Sequence, residues 1–191
     1  MSTLELISVV AVAGLLAACA TPPGGALPAM KGPQLGKPAS AQAVAAVDIS
    51  IPPSGAGLPA GSGSVKQGAS VYAAKCQACH GEKGAGKPAD PLVGGIGTLS
   101  RGNAAVRTVG SYWPYATTLF DYIRRAMPTS APMTLSSEEV YAVTAYLLNL
   151  NAIVGAEAVM NANTLPAVRM PNRDGFIDVS GKGPLAGART Q

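Results

Sequence analysis

A chain of 191 residues holds one globular domain with appendages and is too short for two enzyme-sized domains. Its 14 Lys and Arg exceed its 10 Asp and Glu mildly and without forming a run, which does not suggest nucleic acid as a partner, and no apolar stretch reaches the 18 residues of a spanning helix. Aromatics are 5% of the residues, too few for a self-sufficient aromatic core, while 23 Gly and 16 Pro without a Gly-X-Y period exclude collagen and point to a long unstructured stretch.

Leu6 to Ala18 is apolar apart from Ser8 and ends Leu16-Ala17-Ala18 before Cys19. This reads as an export signal over residues 1–18, and the small residues before Cys19 resemble a bacterial lipobox, which makes Cys19 the lipidated first residue of the mature protein. The residues ahead of it depart from that pattern: Met1 to Ser8 carry Glu5 and no Lys or Arg. Residues 19–60 read as a tether, because from Ala20 to Ser64 there are eight Pro and eight Gly with only Lys31, Lys37 and Asp48 charged. Within it, Val47 to Ile51 alternates and is expected to lie extended on the domain surface.

The domain proper is expected over residues 61–154. A first helix starts at Ser64, with Val65, Gly68, Ala69, Tyr72 and Cys76 on one face. Six glycines and two prolines make 81–97 a loop. A second helix runs from about Tyr115 to Ala126, with Leu119, Ile123 and Ala126 on one side and Pro128 stopping it. A third opens on a capping box, Ser136 with Glu139, and buries Val140, Val143, Leu147 and Leu150. Residues 155–191, with Pro166, Pro171, Asp174-Gly175 and Pro184, read as an irregular extension draped over the domain.

Cys76-Gln77-Ala78-Cys79-His80 is a C-x-x-C-H motif, the attachment signal for a c-type haem. Thiols three positions apart at a helix end reach the two vinyl groups of one porphyrin, and the next residue offers its imidazole to the iron. With three Cys and one His in the chain, chance placement of this pattern is on the order of one in four thousand. A thioredoxin-like C-x-x-C would come with a βαβ pattern, which is missing, and a zinc site lacks a fourth ligand once Cys19 belongs to the leader. The macrocycle also fills the core that the aromatics cannot.

The sixth iron position separates electron transfer from reactive chemistry, since a closed iron passes electrons and an open one binds small molecules. The one His is used, so Met is the natural candidate. Met127 is favoured: Pro128 turns the chain there, and nine residues separate Met127 from the Ser136 cap, enough to carry a thioether over the distal face. Met133, close to that cap, and Met170, in the tail, are the alternatives.

These features resemble a class I cytochrome c: Tyr72 entering C-x-x-C-H, Pro91-Leu92 after it, the Met127-Pro128 pair, and a closing helix with Ala145-Tyr146-Leu147. The resemblance covers roughly 61–150 and implies a small all-α fold around one covalent haem. It further implies that the Pro91 carbonyl, with Pro88 as the competing choice, accepts a hydrogen bond from the His80 ring. Longer stretches, from Ser111 to Pro128 and from Met170 to Phe176, are similar to the cytochrome subunit of the Sox sulfane dehydrogenase and related sulfite dehydrogenases. In that family the cytochrome takes electrons from a molybdenum-cofactor subunit that oxidises sulfur. Tyr112, Trp113 and Tyr115 are candidates to place polar hydrogens near the haem propionates, or to serve simply as core.

From Lys75 to Arg125 there are seven basic residues and three acidic, so the haem-bearing segment is the basic one, of the sign that steers an acidic redox partner. The expectation is an exported mono-haem electron carrier on the periplasmic side, tethered to the membrane through Cys19. It would stand between a molybdenum-cofactor dehydrogenase and a downstream redox protein. Its rivals are a general carrier without a dedicated dehydrogenase and a haem enzyme or gas-binding protein with an open sixth position.

Overall fold

A computed structural model describes residues 35–176, so the leader and Cys19 lie outside the described residues. The chain divides into two units, 1–43 and 44–191. A short helix α1 (Ala41–Val47), with no buried residue, spans that boundary. The second unit contains strand β1 (Ser62–Ser64), helices α2 (Val65–Lys75), α3 (Gln77–His80), α4 (Ala116–Ala126) and α5 (Ser137–Leu150), and strand β2 (Val159–Asn161). The fold is helical, and the sheet among the described residues is the antiparallel pair β1–β2, in which Gly63 lies opposite Met160.

Local chemistry explains where the helices begin and end. Ser64 and Gln67 form a reciprocal capping box at the start of α2, and Ser136 and Glu139 form another at the start of α5. Each box satisfies backbone donors that the first helical turn cannot. Helix α4 ends at Met127, whose backbone has left the helical region, and Pro128 denies it continuation.

Helices α2 and α5 meet at very short range because Gly68 has no side chain: a Cβ there would stand 2.5 Å from the Ala142 carbonyl carbon and 2.7 Å from the Tyr146 Cβ. Beside this crossing the Tyr72 and Tyr146 rings pack at 5.4 Å, and Phe120 of α4 packs on Tyr141 of α5 at 4.5 Å. Val140, Val143 and Leu147 are buried as the helical periodicity demands, with Leu150 only partly so.

Two expectations about the flanks need correction. Val47 to Ile51 forms no strand, and the segment after it is not a free tether. Ile51 is buried in the core and donates its N–H to Asp121 Oδ1 at 2.9 Å; Arg124 reaches the Ile49 carbonyl, Thr117 the Pro53 carbonyl and Tyr141 the Pro59 carbonyl. A Pro- and Gly-rich stretch cannot order itself, but a finished helical surface supplies both the apolar cover and the hydrogen-bond partners it lacks. The extension after 155 is irregular for most of its described length, as expected, but it is built into the domain. It contributes β2, and Met160, Leu165 and Met170 are core residues. Residues 177–191 lie outside the described residues.

Candidate haem-attachment site

The C-x-x-C-H motif sits where α2 stops. Cys76 leaves helical geometry (φ −123°, ψ −37°) while its N–H still bonds the Tyr72 carbonyl, and the chain restarts at once as the single turn α3. That turn closes on Cys76 itself, whose carbonyl accepts from the N–H groups of Cys79 and His80 at 3.1 and 3.0 Å. Both thiols and the imidazole are therefore carried on one closed loop of backbone. Gly81 ends it with φ +74°, a conformation that glycine adopts without strain.

The loop beyond folds back on the motif. Gly86 N–H bonds the His80 carbonyl at 2.7 Å, Ala89 N–H bonds the Cys79 carbonyl at 2.8 Å, and Leu92 N–H bonds the Gly84 carbonyl at 2.8 Å. This return brings the Asp90 carbonyl to 2.9 Å from His80 Nδ1. Nδ1 then donates its proton to a carbonyl, which leaves Nε2 as the nitrogen with a free lone pair for a metal. The acceptor is thus Asp90, and neither Pro91 nor Pro88. Pro91 acts one step removed, since a proline confines the residue before it to extended backbone. That confinement is the only signal in the sequence that could have pointed to Asp90.

Tyr72 anchors the other side of the loop. Its ring is almost wholly buried, and its hydroxyl donates to the Gly81 carbonyl, next to His80, at 2.8 Å. Burial pushes its pKa up to about 12; Cys76 adds to the rise, a backbone hydrogen bond from Gly84 opposes it, and Tyr146 contributes least. Cys76 is partly buried and Cys79 exposed. Burial pushes the Cys76 thiol up to about 11, against the lowering influence of Lys75 and with a smaller rise from Cys79. Three or more His, Cys, Asp or Glu are nowhere gathered as a metal-holding group among the described residues. Two cysteine side chains beside an imidazole whose Nδ1 is committed to a carbonyl fit a haem held by two thioethers and one ring nitrogen.

The four methionines after the motif separate by burial. Met160 and Met170 are enclosed in the core, 5% and 1% exposed, so Met170 is not the loose tail residue its position suggested. Met127 is partly buried against the core at the end of α4, and Met133 is 62% exposed with φ +62°. Trp113 packs on Tyr122, Tyr112 lies between Phe176 and Arg107, and the Arg173 guanidinium covers Tyr115 at 4.2 Å. Tyr112 lines an open recess with Leu99, Arg107, Asn172 and Phe176, which none of Cys76, Cys79, His80 or Met127 borders. The basic excess is reduced by internal pairing, because Lys75 bonds Glu139 and Arg125 bonds Asp121. Among the described residues no helix is long and apolar enough to cross a membrane.

Comparison with known proteins agrees with this geometry. The family model described as cytochrome c matches residues 65–151, from the first residue of α2 to just past the end of α5. No curated protein matches the chain. The crystal structure of the sulfane dehydrogenase SoxCD from Paracoccus pantotrophus contains a chain that is 38% identical, with a TM-score of 0.70 over 76% of this chain and 71% of that one. A matching family model whose span carries the closed C-x-x-C-H turn, and a solved relative of this identity and coverage, lead to one conclusion: the chain belongs to the cytochrome c family, electron-transfer proteins with covalently bound haem.

Proposed function

We propose that this protein is a mono-haem electron carrier that accepts electrons from a molybdenum-cofactor dehydrogenase oxidising sulfane sulfur or sulfite, and passes them singly to a downstream redox protein. The observation that carries the reading is the 38% identity to a chain of SoxCD over three quarters of this one, joined to a single C-x-x-C-H motif. Haem bound here supplies a one-electron ferric/ferrous couple.

The chain's own groups divide the remaining work. Cys76 and Cys79 hold the group through thioethers, and His80 Nε2 is the axial donor, oriented by the Asp90 carbonyl. Met127 supplies the second axial donor: it is the accessible thioether that also packs on the core, so little ordering cost attends its ligation. Trp113 and Tyr112 serve the propionate side. The protein works on the periplasmic side of the membrane, held there by a lipid on Cys19.

The test uses full-length protein from a haem-loading host. The pyridine haemochrome assay should give one covalent haem per chain, and the ferric protein should show the near-infrared sulfur-to-iron charge-transfer band. Replacing Met127 should abolish that band; its persistence would transfer the role to Met133. Sulfite or thiosulfate with the molybdenum subunit should reduce the haem, and a protein left oxidised by every such pair would refute the assignment to sulfur oxidation. Cys19→Ser should release the protein from membranes.

A further inference from the structure

We infer that Asn151 is a positioning residue for the His80 side of the haem site: its carboxamide ties the end of α5 to the segment Leu92–Gly94 and so holds the Asp90 carbonyl on the imidazole. The inference rests on the reading of His80 as an iron ligand. Asn151 is only 5% exposed. Its Nδ2 donates to the Leu147 carbonyl at 2.9 Å and to the Leu92 carbonyl at 3.1 Å, while its Oδ1 accepts from Gly94 N–H at 3.2 Å. Both donors and the acceptor of the amide are in use.

The two ends of this clamp differ in rigidity. Leu147 is in the last turn of a 14-residue capped helix whose inner face is buried, so its carbonyl is a fixed point. Leu92 and Gly94 lie in irregular chain, where backbone groups need outside partners to hold position. Leu92 is two residues from Asp90, and its N–H is already committed to Gly84. The Leu92 carbonyl takes a second bond from Val109 N–H, and the Gly94 carbonyl takes one from Thr108 Oγ1. Asn151 is the partner among these that belongs to the frame of the domain. The fit leaves no slack, since a Cβ at Gly110 would lie 2.9 Å from the Asn151 amide carbon. Loosening this clamp frees the Asp90 carbonyl from Nδ1, which makes the imidazole a weaker donor to iron.

A simple helix cap would behave differently, and the same helix end offers a comparison. Asn149 Nδ2 bonds the Val154 carbonyl at 2.9 Å, and its side chain makes no hydrogen bond to residues 84–94. Asn151→Asp keeps the volume and the acceptor for Gly94 but loses both donors; Asn149→Asp loses its donor alone. In the haem-loaded full chain, Asn151→Asp should speed solvent exchange of the His80 Nδ1 proton by about tenfold. Asn149→Asp should lower stability and leave that exchange rate unmoved. Equal loss of stability in both variants with an unmoved His80 proton would overturn the inference. Should Asn151→Asp not accumulate, native-state hydrogen exchange of the wild type decides. His80 Nδ1–H and Gly94 N–H should open together with one denaturant dependence, whereas His80 opening only with global unfolding after Gly94 has exchanged would overturn it. Wild-type protein without covalent haem would refute the ligation reading itself, a result distinct from either outcome above.

Discussion

Replacing Gly68 with Ala should destabilise the protein although Ala is the better helix former. In an exposed helix interior the exchange gains about 1 kcal/mol. Here the new methyl carbon would overlap the Ala142 carbonyl oxygen and lie 2.5 Å from its carbon and 2.7 Å from the Tyr146 Cβ, where carbon atoms normally sit about 3.5–4.0 Å apart. The obstruction is backbone, so no rotamer change relieves it. Helices α2 and α5 must separate by roughly an ångström, which forfeits a quarter to a half of the dispersion across their contact. Overpacking of this kind costs about 1–3 kcal/mol, and backbone obstruction places Gly68→Ala at the upper end. The net expectation is a loss of about 2 kcal/mol and a midpoint lower by roughly 5–10 °C. The assay is urea and thermal unfolding followed by far-ultraviolet circular dichroism, with covalent haem yield measured alongside, since α2 ends on Cys76. Gly155→Ala is the control: no atom lies within 4 Å of its Cβ, and it should change stability by less than about 0.5 kcal/mol. A Gly68→Ala protein as stable as wild type would refute the close helix crossing.

Asp121→Ala should cost about 2 kcal/mol, because it leaves the Ile51 N–H buried without its acceptor while Arg125, half exposed, regains water. Limited proteolysis should then cut near residues 49–53 in the variant, and equal resistance would mean that Asp121 does not hold this segment. Tyr72, whose folded pKa of about 12 exceeds the unfolded value of about 10, contributes stability that is complete below pH 10 and lost as the pH rises toward 12. Tyr72→Phe should remove most of that alkaline fall, worth about 2 kcal/mol, and cost about 1 kcal/mol at neutral pH for the bond to Gly81. Urea midpoints measured across pH 9–12 would show both effects. Glu139 is held below its usual carboxylate range by the hydrogen bond from Lys75, with the Ser136 backbone N–H next. Its stabilisation is therefore present above the unfolded pKa and fades as the pH falls below it; the Lys75 part is solvent-screened, so Glu139→Gln should flatten the acid limb slightly and less at high salt.

The C-x-x-C-H motif, the starts of the three main helices and most of their buried positions were legible in the residues, because each depends on partners within a turn or two. Capping boxes join Ser64 to Gln67 and Ser136 to Glu139, and a helix period needs only its own side chains. What escaped the sequence depends on residues far apart in the chain. Ile51 meets Asp121 across 70 positions and Asn151 meets Leu92 across 59, and nothing at either end announces the other. A Pro- and Gly-rich flank therefore reads as tether until a finished helix surface offers it partners. The same separation governs the imidazole: the motif marks His80 as the candidate ligand, whereas the return of the chain through Gly86, Ala89 and Leu92 decides that the Asp90 carbonyl accepts from its ring. Local hydrogen bonds and helical period were written in the sequence, and the acceptor that orients the His80 ring exists only where separate stretches of backbone are packed together.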